Sequence, residues 1–365
     1  MGERRLDDRY FALPAERLRE MVSALMEDRP VYGPVAKSAQ SGIPEDTPFW
    51  VYSRLQLAGQ LALHFDVTIM PPKKLFFPPE EPILEYDFAG WGRPILHEGP
   101  FVVFGVHPYD LTALGQLDKV FNDRYPDAWY LARRRDALLV GVDPVQVAPH
   151  SFWASMDTAS TTTFDLMLTD IGAGGSALYV VEVGSPKGAE ALERFAQAEP
   201  ASSGELAARD EVRSAIREKS LRHGLRFDVR ELPGLLPKVM DSVIWDEKAR
   251  TCYSCGTCNL VCPTCYCFDL RDEVRLDLTG GQRLRRWDGC QLEDFALIGA
   301  CNFRPLKVSR YRHRLLRKGQ YLYERYGDIA CVGCGRCSSQ CLPNIADPVD
   351  VYNRLHDEAK ARGLI

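Results

Sequence analysis

Hydrophobic residues recur at helical spacing near the start of the chain and then give way to short apolar runs. Residues 14–27 predict an amphipathic helix whose buried face carries Leu18, Met21, Val22 and Leu25. Four apolar runs bounded by turn residues predict strands at 101–107, 137–143, 164–172 and 177–185. Residues 110–123 predict a helix with Asp110 as its N-cap. Strands that alternate with helices indicate an α/β domain over roughly residues 45–190.

The pattern changes in the second half of the chain. Residues 188–240 are charged and helical in period, and residues 202–205 resemble a capping box. Beyond about residue 240, strand signals nearly vanish. Residues 307–327 predict a helix that ends at Gly327, because glycine adopts the left-handed conformation that closes a helix. The last third of the chain is therefore predicted to be mainly helical.

Composition narrows the classes of function. The chain has 365 residues, which is enough for two domains, and a net charge of -5, which disfavours nucleic acid as a partner. No apolar run approaches the roughly 20 residues that span a bilayer. The N-terminus mixes acids with bases and has no apolar core, so it does not resemble a secretory signal. We therefore predict a cytoplasmic protein that binds neither membrane nor nucleic acid.

Cysteine is confined to one part of the sequence. All twelve cysteines lie between Cys252 and Cys341, and the spacing C-x2-C-x2-C-x3-C occurs twice, starting at Cys252 and at Cys331. Disulfides are disfavoured in the reducing cytosol, so metal ligation is the better explanation. We call residues 252–262 the first motif and residues 331–341 the second motif.

Such a motif predicts crossed ligation of two 4Fe-4S clusters, because its first three thiolates grip one cluster and its fourth reaches a second. The first predicted cluster is held by Cys252, Cys255, Cys258 and Cys341. The second is held by Cys331, Cys334, Cys337 and Cys262. Structural zinc is the alternative, but zinc ribbons pair two C-x2-C knuckles and do not need this triple spacing twice.

The 68 residues between the two motifs read mainly as helix, which is typical of an α-helical ferredoxin-type domain and not of a compact bacterial ferredoxin. The predicted fold class is therefore α+β, with an N-terminal α/β domain followed by a mainly α-helical ferredoxin-type domain. The predicted divisions are an α/β domain with N-terminal helices over 1–190, a helical connector over 191–240 and an iron-sulfur domain over 241–365.

Four cysteines remain, and a third cubane needs four thiolates. They are Cys265, Cys267, Cys290 and Cys301. Buried free thiols are the main alternative, since cysteine packs well in cores, and zinc or another centre is a further one. The spacing of 11 residues between Cys290 and Cys301 would place both on one face of a helix.

Two groups of basic residues allow different interpretations. Residues 304–318 hold seven Lys or Arg and no acid, which predicts either a solvated helix face or a positive charge that raises the potential of a nearby cluster. Lys73 and Lys74 lie in a proline-rich stretch and are expected to be solvated loop charges.

Several segments in order resemble the beta subunit of cytoplasmic NiFe sulfhydrogenases and the related iron-sulfur subunit of anaerobic sulfite reductase. Before the motifs they are "PPKKLFFPPEE" (71–81), "FGVHPYDLTAL" (104–114), "YLARRRDALLVGVD" (130–143), "DLMLTDIG" (165–172) and "VEVGSPKG" (181–188). The resemblance continues through both motifs, "RRWDGC", "ACNFRP" and "RYRHR". It departs at "PHSFWASM" (149–156), where relatives have a cysteine pair, and at Cys301, where relatives often have histidine.

The resemblance implies a non-catalytic electron-transfer subunit of an oxidoreductase complex. Its partners would be a flavin subunit that exchanges electrons with NAD(P)H and a NiFe hydrogenase catalytic unit, or a sulfite reductase unit. One alternative is an enzyme whose α/β domain binds its own flavin and substrate, although no nucleotide motif is recognisable. Another alternative is a zinc-stabilised interaction module.

Overall fold

The computed structural model describes residues 9–37, 49–97, 99–172 and 178–365. An eight-stranded mixed sheet forms its first part. Its strands are β1 (Tyr10–Pro14), β2 (Val31–Lys37), β3 (Phe49–Arg54), β6 (Phe101–Val106), β7 (Ala137–Val142), β8 (Leu166–Asp170), β9 (Leu178–Val183) and β10 (Glu199–Pro200). Their order across the sheet is β10-β1-β9-β8-β7-β6-β2-β3. Strands β2, β6, β7 and β8 are mutually parallel, and the outer pairs are antiparallel.

The central strands are buried on both faces, so they read as continuous apolar runs and not as alternating ones. Along β6, Val102 and Phe104 pack into the core on one face of the sheet, and Val103 packs into the core on the other. The first core is covered by helices α1 (Ala15–Asp28) and α4 (Pro186–Phe195). The second is covered by α2 (Pro108–Phe121) and α3 (Ala128–Asp136). The mixed α+β class is thereby confirmed.

The helices of this part agree with the hydrophobic pattern. Helix α1 buries the four residues that helical spacing selected. Helix α2 begins at Pro108 with His107 as its N-cap, so Asp110 lies in the first turn and is not the cap. Helix α5 (Ser203–Ser220) begins with the predicted capping box, in which Ser202 and Glu205 bond each other's backbone N–H.

A second sheet joins distant parts of the chain. Strands β11 (Phe268–Val274) and β12 (Gly280–Trp287) form a hairpin that pairs with β4 (Glu80–Asp87), and β4 in turn pairs with β5 (Gly92–Pro94). The expectation that strands nearly vanish beyond residue 240 is therefore wrong for residues 268–287. The divisions at residues 190 and 240 stay a prediction.

Helices dominate the remainder of the last third. They are α6 (Leu232–Leu235), α7 (Ile244–Thr251), α8 (Thr257–Leu260), α9 (Lys307–Leu316), α10 (Leu322–Tyr326), α11 (Arg336–Ser339) and α12 (Pro348–Ala361). A π-helical turn, Arg317–Tyr321, connects α9 to α10, which ends at Gly327 with a φ of 76° as predicted. A two-stranded hairpin, β13 (Leu297–Ile298) and β14 (Cys301–Asn302), precedes α9. No helix among the described residues is both long and apolar enough to cross a membrane.

A buried ion pair connects the large sheet to the second motif. The Arg336 guanidinium donates two hydrogen bonds of 2.6 Å to the Asp110 carboxylate, and both side chains are at most 2% exposed. The same guanidinium also bonds the carbonyl and the hydroxyl of Thr68. Helix α2 and the second motif are therefore held together by a buried hydrogen-bond network in which the Arg336 donors have acceptors.

Removing one partner of this pair is expected to leave a buried charge without compensation. We predict that Asp110→Ala lowers the free energy of unfolding by about 3–5 kcal/mol, measured as the shift of anaerobic urea unfolding followed by tryptophan fluorescence. Asp123→Ala is the matched control, because Asp123 also pairs with an arginine of the last third, Arg325, but at the surface. The control should unfold close to wild type; equal shifts for the two variants would contradict the argument.

Candidate metal centre

The two motifs fold alike because they place glycine at the same point. Gly256 and Gly335 each adopt the left-handed conformation, with φ of 75° and 79°, and each is followed by a single helical turn, α8 or α11. A side chain is strained at such a φ, so glycine is required there. In each motif the third cysteine, Cys258 or Cys337, lies inside that turn.

The same motif is buried to different depths. Cys255 is exposed, whereas its counterpart Cys334 is buried. The difference arises because the second motif packs against backbone: a Cβ on Gly335 would lie 2.6 Å from the carbonyl carbon of His150. The corresponding Gly256 faces only the Leu292 side chain. The second cysteine of the first motif therefore reaches the protein surface, whereas its counterpart in the second motif is buried.

The fourth cysteine of the first motif lies near the second motif. Burial, with the thiolate of Cys262 as a lesser contribution, raises the pKa of both Cys331 and Cys334, in the latter case to about 12. In the opposite direction, Tyr311 is close to Cys258, Cys252 and Cys341, whose thiolates add to the effect of burial in raising its pKa. The crossed ligand sets themselves stay a prediction.

The sulfur positions suit a cluster better than a single ion. Tetrahedral zinc, with Zn–S bonds of about 2.3 Å, holds its thiolates about 3.8 Å apart. Among the described residues, which include all twelve cysteines, no three cysteine sulfurs lie within 4.8 Å of one another. In a cubane each cysteine binds a separate iron at its own corner, so wider separation is expected.

Three of the four remaining cysteines come together. The Asn259 side-chain amide lies 3.6 Å from the Cys265 sulfur and 3.3 Å from the Cys290 sulfur. The thiolates of Cys267, Cys265 and Cys290 all raise the pKa of Arg317, against the effect of its burial. These three cysteines therefore lie near one another, around Asn259 and Arg317.

Cys301 is not part of the group formed by the other three cysteines. It is exposed on strand β14, in a hairpin with β13. The prediction that residues 290 and 301 share a helical face is wrong, because a short 3-10 turn at Asp294–Ala296 and the β13–β14 hairpin occupy that segment. The hairpin is closed by Gly299, whose φ of 59° is left-handed.

Buried cations surround the cysteines. Arg310 and Arg314 of α9 and Lys318 of the π-helical turn that follows are each at most 4% exposed, so the solvated-face interpretation is wrong for them. Arg314 lies near Cys258, Cys337 and Cys262, whose thiolates raise its pKa well above the usual range against the effect of burial. Its Nε and Nη1 have no hydrogen-bond partner among the described residues. Donors left unpaired at this place suit the sulfur atoms of a bound cluster.

Lys318 lies where the two motifs meet. Burial alone would lower the pKa of Lys318, but the Cys262 and Cys265 thiolates raise it above its usual range. Its ammonium donates to the hydroxyl of Thr264 at 2.6 Å. A hydrogen bond from Cys265, followed by the charge of Lys318, lowers the pKa of Cys262 well below that of a free thiol. The hydrogen bond to Cys262, followed by burial, raises the pKa of Cys265, so of these two cysteines only Cys262 is favoured in the deprotonated form that a metal requires.

Lys73 is a site residue that the sequence pattern missed. Its side chain is 2% exposed, its ammonium donates to the carbonyl of Cys265 at 2.9 Å, and it lies 3.9 Å from the centre of the Trp287 ring. Burial lowers the pKa of Lys73 to about 8, although the Cys265 and Cys262 thiolates act in the opposite direction. The expectation of a solvated loop charge is wrong for Lys73.

Comparison with known proteins agrees with this geometry. Residues 251–345 match the family described as 4Fe-4S dicluster domain, so the chain carries an iron-sulfur domain of the electron-transfer type. The whole chain is similar to sulfhydrogenase 2 subunit beta of Pyrococcus furiosus, with 30% identity over 351 residues, 92% of this chain and 96% of the relative. The chain belongs to the sulfhydrogenase beta-subunit family.

A cation beside a cluster is expected to stabilise its reduced, more negative state. We predict that Lys318→Gln lowers the reduction potential of the clusters nearest Cys262 and Cys265 by about 100 mV, the equivalent of one charge at roughly 7 Å in a medium of effective dielectric constant near 20. The potential is measured by redox titration followed by electron paramagnetic resonance (EPR). Lys187→Gln is the control, because Lys187 bonds backbone at Ala137, in the large sheet. An unchanged potential in Lys318→Gln would contradict the assigned role.

Proposed function

We propose that this iron-sulfur subunit relays single electrons between a flavin subunit linked to NAD(P)H and a NiFe hydrogenase catalytic unit, within a cytoplasmic complex. The full-length similarity to a sulfhydrogenase beta subunit is the observation that carries the proposal. The arrangement of cysteines supports it, because grouped thiolates with buried cations suit centres that exchange electrons. Anaerobic sulfite reductase is the alternative partner of the same class.

We assign the ligands of two clusters according to the crossed arrangement. Cys252, Cys255, Cys258 and Cys341 hold the first cluster, and Cys331, Cys334, Cys337 and Cys262 hold the second. The proximity of Cys262 to Cys331 and Cys334 supports the second set, and the shared proximity of Cys252, Cys258 and Cys341 to Tyr311 supports the first. Each cluster accepts and donates one electron at a time.

We assign a third cluster to the remaining four cysteines. The gathering of Cys265, Cys267 and Cys290 around Arg317 supports three of its ligands. Cys301 is the fourth, on a short hairpin closed by a left-handed glycine, so the ligand set requires this hairpin to bring its thiol inward. Such a centre would extend the series of redox stations beyond the two clusters of the paired motifs.

The exposure of residues in and around the first motif supports contact between this motif and a partner subunit. Cys255 is exposed, and the side chain of Tyr253, two residues before it, is 67% exposed. Val243 and Leu306, which line one cavity at the surface, are exposed by 75% and 62%. Apolar residues grouped at a surface are typical of protein interfaces. The first cluster is therefore proposed as the station that exchanges electrons with a partner subunit.

The crossed assignment and the function can be tested in one complex. In the affinity-purified complex, Cys341→Ser should alter the EPR signal of the cluster held by Cys252, Cys255 and Cys258, because serine replaces its fourth thiolate. Hydrogen turnover coupled to NAD(P)H should be lost, and turnover with an artificial dye at the catalytic unit should remain. The substitution lies beside the other motif in sequence, so a change confined to the cluster of Cys331, Cys334 and Cys337 would show the pairing to be wrong.

Purification of the complex also tests the partners. Mass spectrometry of proteins that co-purify with the tagged chain should identify a flavin subunit and the two NiFe subunits. Recovery of a sirohaem-binding subunit instead would favour the sulfite reductase alternative. Flavin bound to the isolated chain would favour an enzyme with its own substrate.

The third cluster is tested by iron content. Wild type should contain about twelve iron atoms per chain, and Cys290→Ala should contain about eight, with the spectra of the other two clusters unchanged. Cys301→Ala should give the same loss if its thiol completes the site. Iron is measured by inductively coupled plasma mass spectrometry. Full iron content and full NAD(P)H-linked turnover in Cys290→Ala would show that this thiol only fills the core.

A further inference from the structure

Three side chains that could bind a metal meet beside the second motif, and none of them is a cysteine. One ligand atom each from His150, His223 and Asp347 lies within 4.8 Å of the other two. Among the described residues this is the one group of three or more such side chains that is tight enough for a single ion. The imidazole rings are 5.9 Å apart and nearly perpendicular, at 84°. Two imidazoles and a carboxylate form a recurrent set for divalent transition metals.

The three ligands come from separate segments that other contacts hold in place. His150 lies in a turn in which the N–H of Ser151 bonds the carbonyl of Ala148. His223 follows α5, where the N–H of Leu225 bonds the hydroxyl of Ser155. Asp347 is the N-cap of α12. The backbone positions of the ligands are therefore set by hydrogen bonds that do not involve a metal.

The distance between His223 and Asp347 fits a shared ion. His223 Nε2 lies 3.2 Å from Asp347 Oδ2, but the two atoms are not aligned for a hydrogen bond, and Nε2 is buried without a hydrogen-bond partner among the described residues. Two ligands that each lie about 2.1 Å from one ion, at angles of 90–109°, are about 3.0–3.4 Å apart. A buried imidazole nitrogen without a partner costs free energy unless something binds it.

The two carboxylate oxygens of Asp347 have separate roles. Oδ1 accepts from the N–H of Val349 at 3.0 Å, which caps α12, and lies 3.4 Å from the hydroxyl of Ser338. Oδ2 is left to face His223. By contrast, His64 and Asp170 form an ordinary pair, with Nε2 and Oδ2 2.6 Å apart and hydrogen-bonded.

We propose that His150, His223 and Asp347 bind one divalent transition ion of the Zn²⁺ type, separate from the iron-sulfur clusters. Imidazole ligands disfavour Mg²⁺ and Ca²⁺, which prefer oxygen. The His223 and Asp347 side chains are 33% and 18% exposed, so an ion reaches the site from solvent and keeps water on its open positions.

The position of the site points to a structural role. The backbone of His150 packs directly on Gly335, and the hydroxyl of Ser151 donates to the carbonyl of Gly333, both within the second motif. An ion at His150 therefore connects the loop that covers the second motif to α12 and to the turn after α5. Binding is expected to stabilise this cover.

The test uses the holoprotein with its iron-sulfur clusters assembled. After dialysis against Zn²⁺, wild type should retain one zinc per chain by inductively coupled plasma mass spectrometry, and its thermal unfolding midpoint should rise. His223→Asn and Asp347→Asn should weaken Zn²⁺ binding by more than about tenfold and abolish the rise. Asparagine at 347 keeps the N-cap of α12, so this variant is expected to fold. The visible spectrum of the clusters reports the fold of each variant.

His64→Asn is the matched control, because it removes a histidine that faces an aspartate but has no second histidine beside it. It should bind zinc and respond to zinc as wild type does. Equal zinc content in wild type and in folded Asp347→Asn would overturn the proposal, as would zinc retained in wild type without any rise of the unfolding midpoint. Zinc lost only from a Cys301→Ala variant would also overturn it, since the ion would then be bound by the exposed thiol.

Discussion

The burial of opposite charges at one place is the constraint on which the rest of the structure depends. Lys318 is the clearest example of a buried charge. Its ammonium donates to Thr264 beside the first motif, and its carbonyl accepts hydrogen bonds from the N–H groups of Ala330 and Cys331 at the start of the second motif. One residue therefore joins both motifs. A buried lysine or arginine is costly without negative partners, and thiolates supply those partners here. The helices and the metal ligands consequently stabilise one another.

This mutual dependence links folding to cluster assembly. Burial raises the pKa of Cys258 to about 12, so in the absence of iron this thiol keeps its proton. A bound cluster would replace that proton with a metal–thiolate bond and would supply negatively charged sulfur for the Arg314 donors, which have no partner among the described residues. Without clusters, Arg314 therefore lies in a dry core beside a protonated Cys258, and the lowered pKa of Cys262 leaves that thiol as the negative partner of Lys318. The same cations favour the reduced state of any cluster bound between them.

The sequence predicts what depends on local pattern and misses what depends on distant contacts. Helix α1, the buried strands and the spacing of the motifs each depend on residues that are close together in the sequence, so the sequence predicts them. Strand β11 is missed because its seven residues are all exposed, and it is held by pairing with β12, including the Asp272–Arg283 ion pair across the strands. Lys73 is missed for a similar reason: its partners lie near residues 265 and 287, far along the chain. The proline-rich sequence around Lys73 indicates a loop, but it does not indicate which distant residues bury that loop.

The buried basic residues of α9 and of the turn after it follow a pattern that is visible in the sequence, since residues 310, 314 and 318 recur every four positions. What the period could not show is the π-helical turn at Arg317–Tyr321, which inserts an irregularity where α9 meets α10. A π-helical turn is rare, and it is found frequently at functional sites. Here the turn coincides with Gly319, where a Cβ would lie 2.6 Å from the Leu236 side chain, so the helix approaches its neighbour as closely as glycine allows. Within this turn, Lys318 directs its carbonyl to the start of the second motif and its ammonium to Thr264 beside the first.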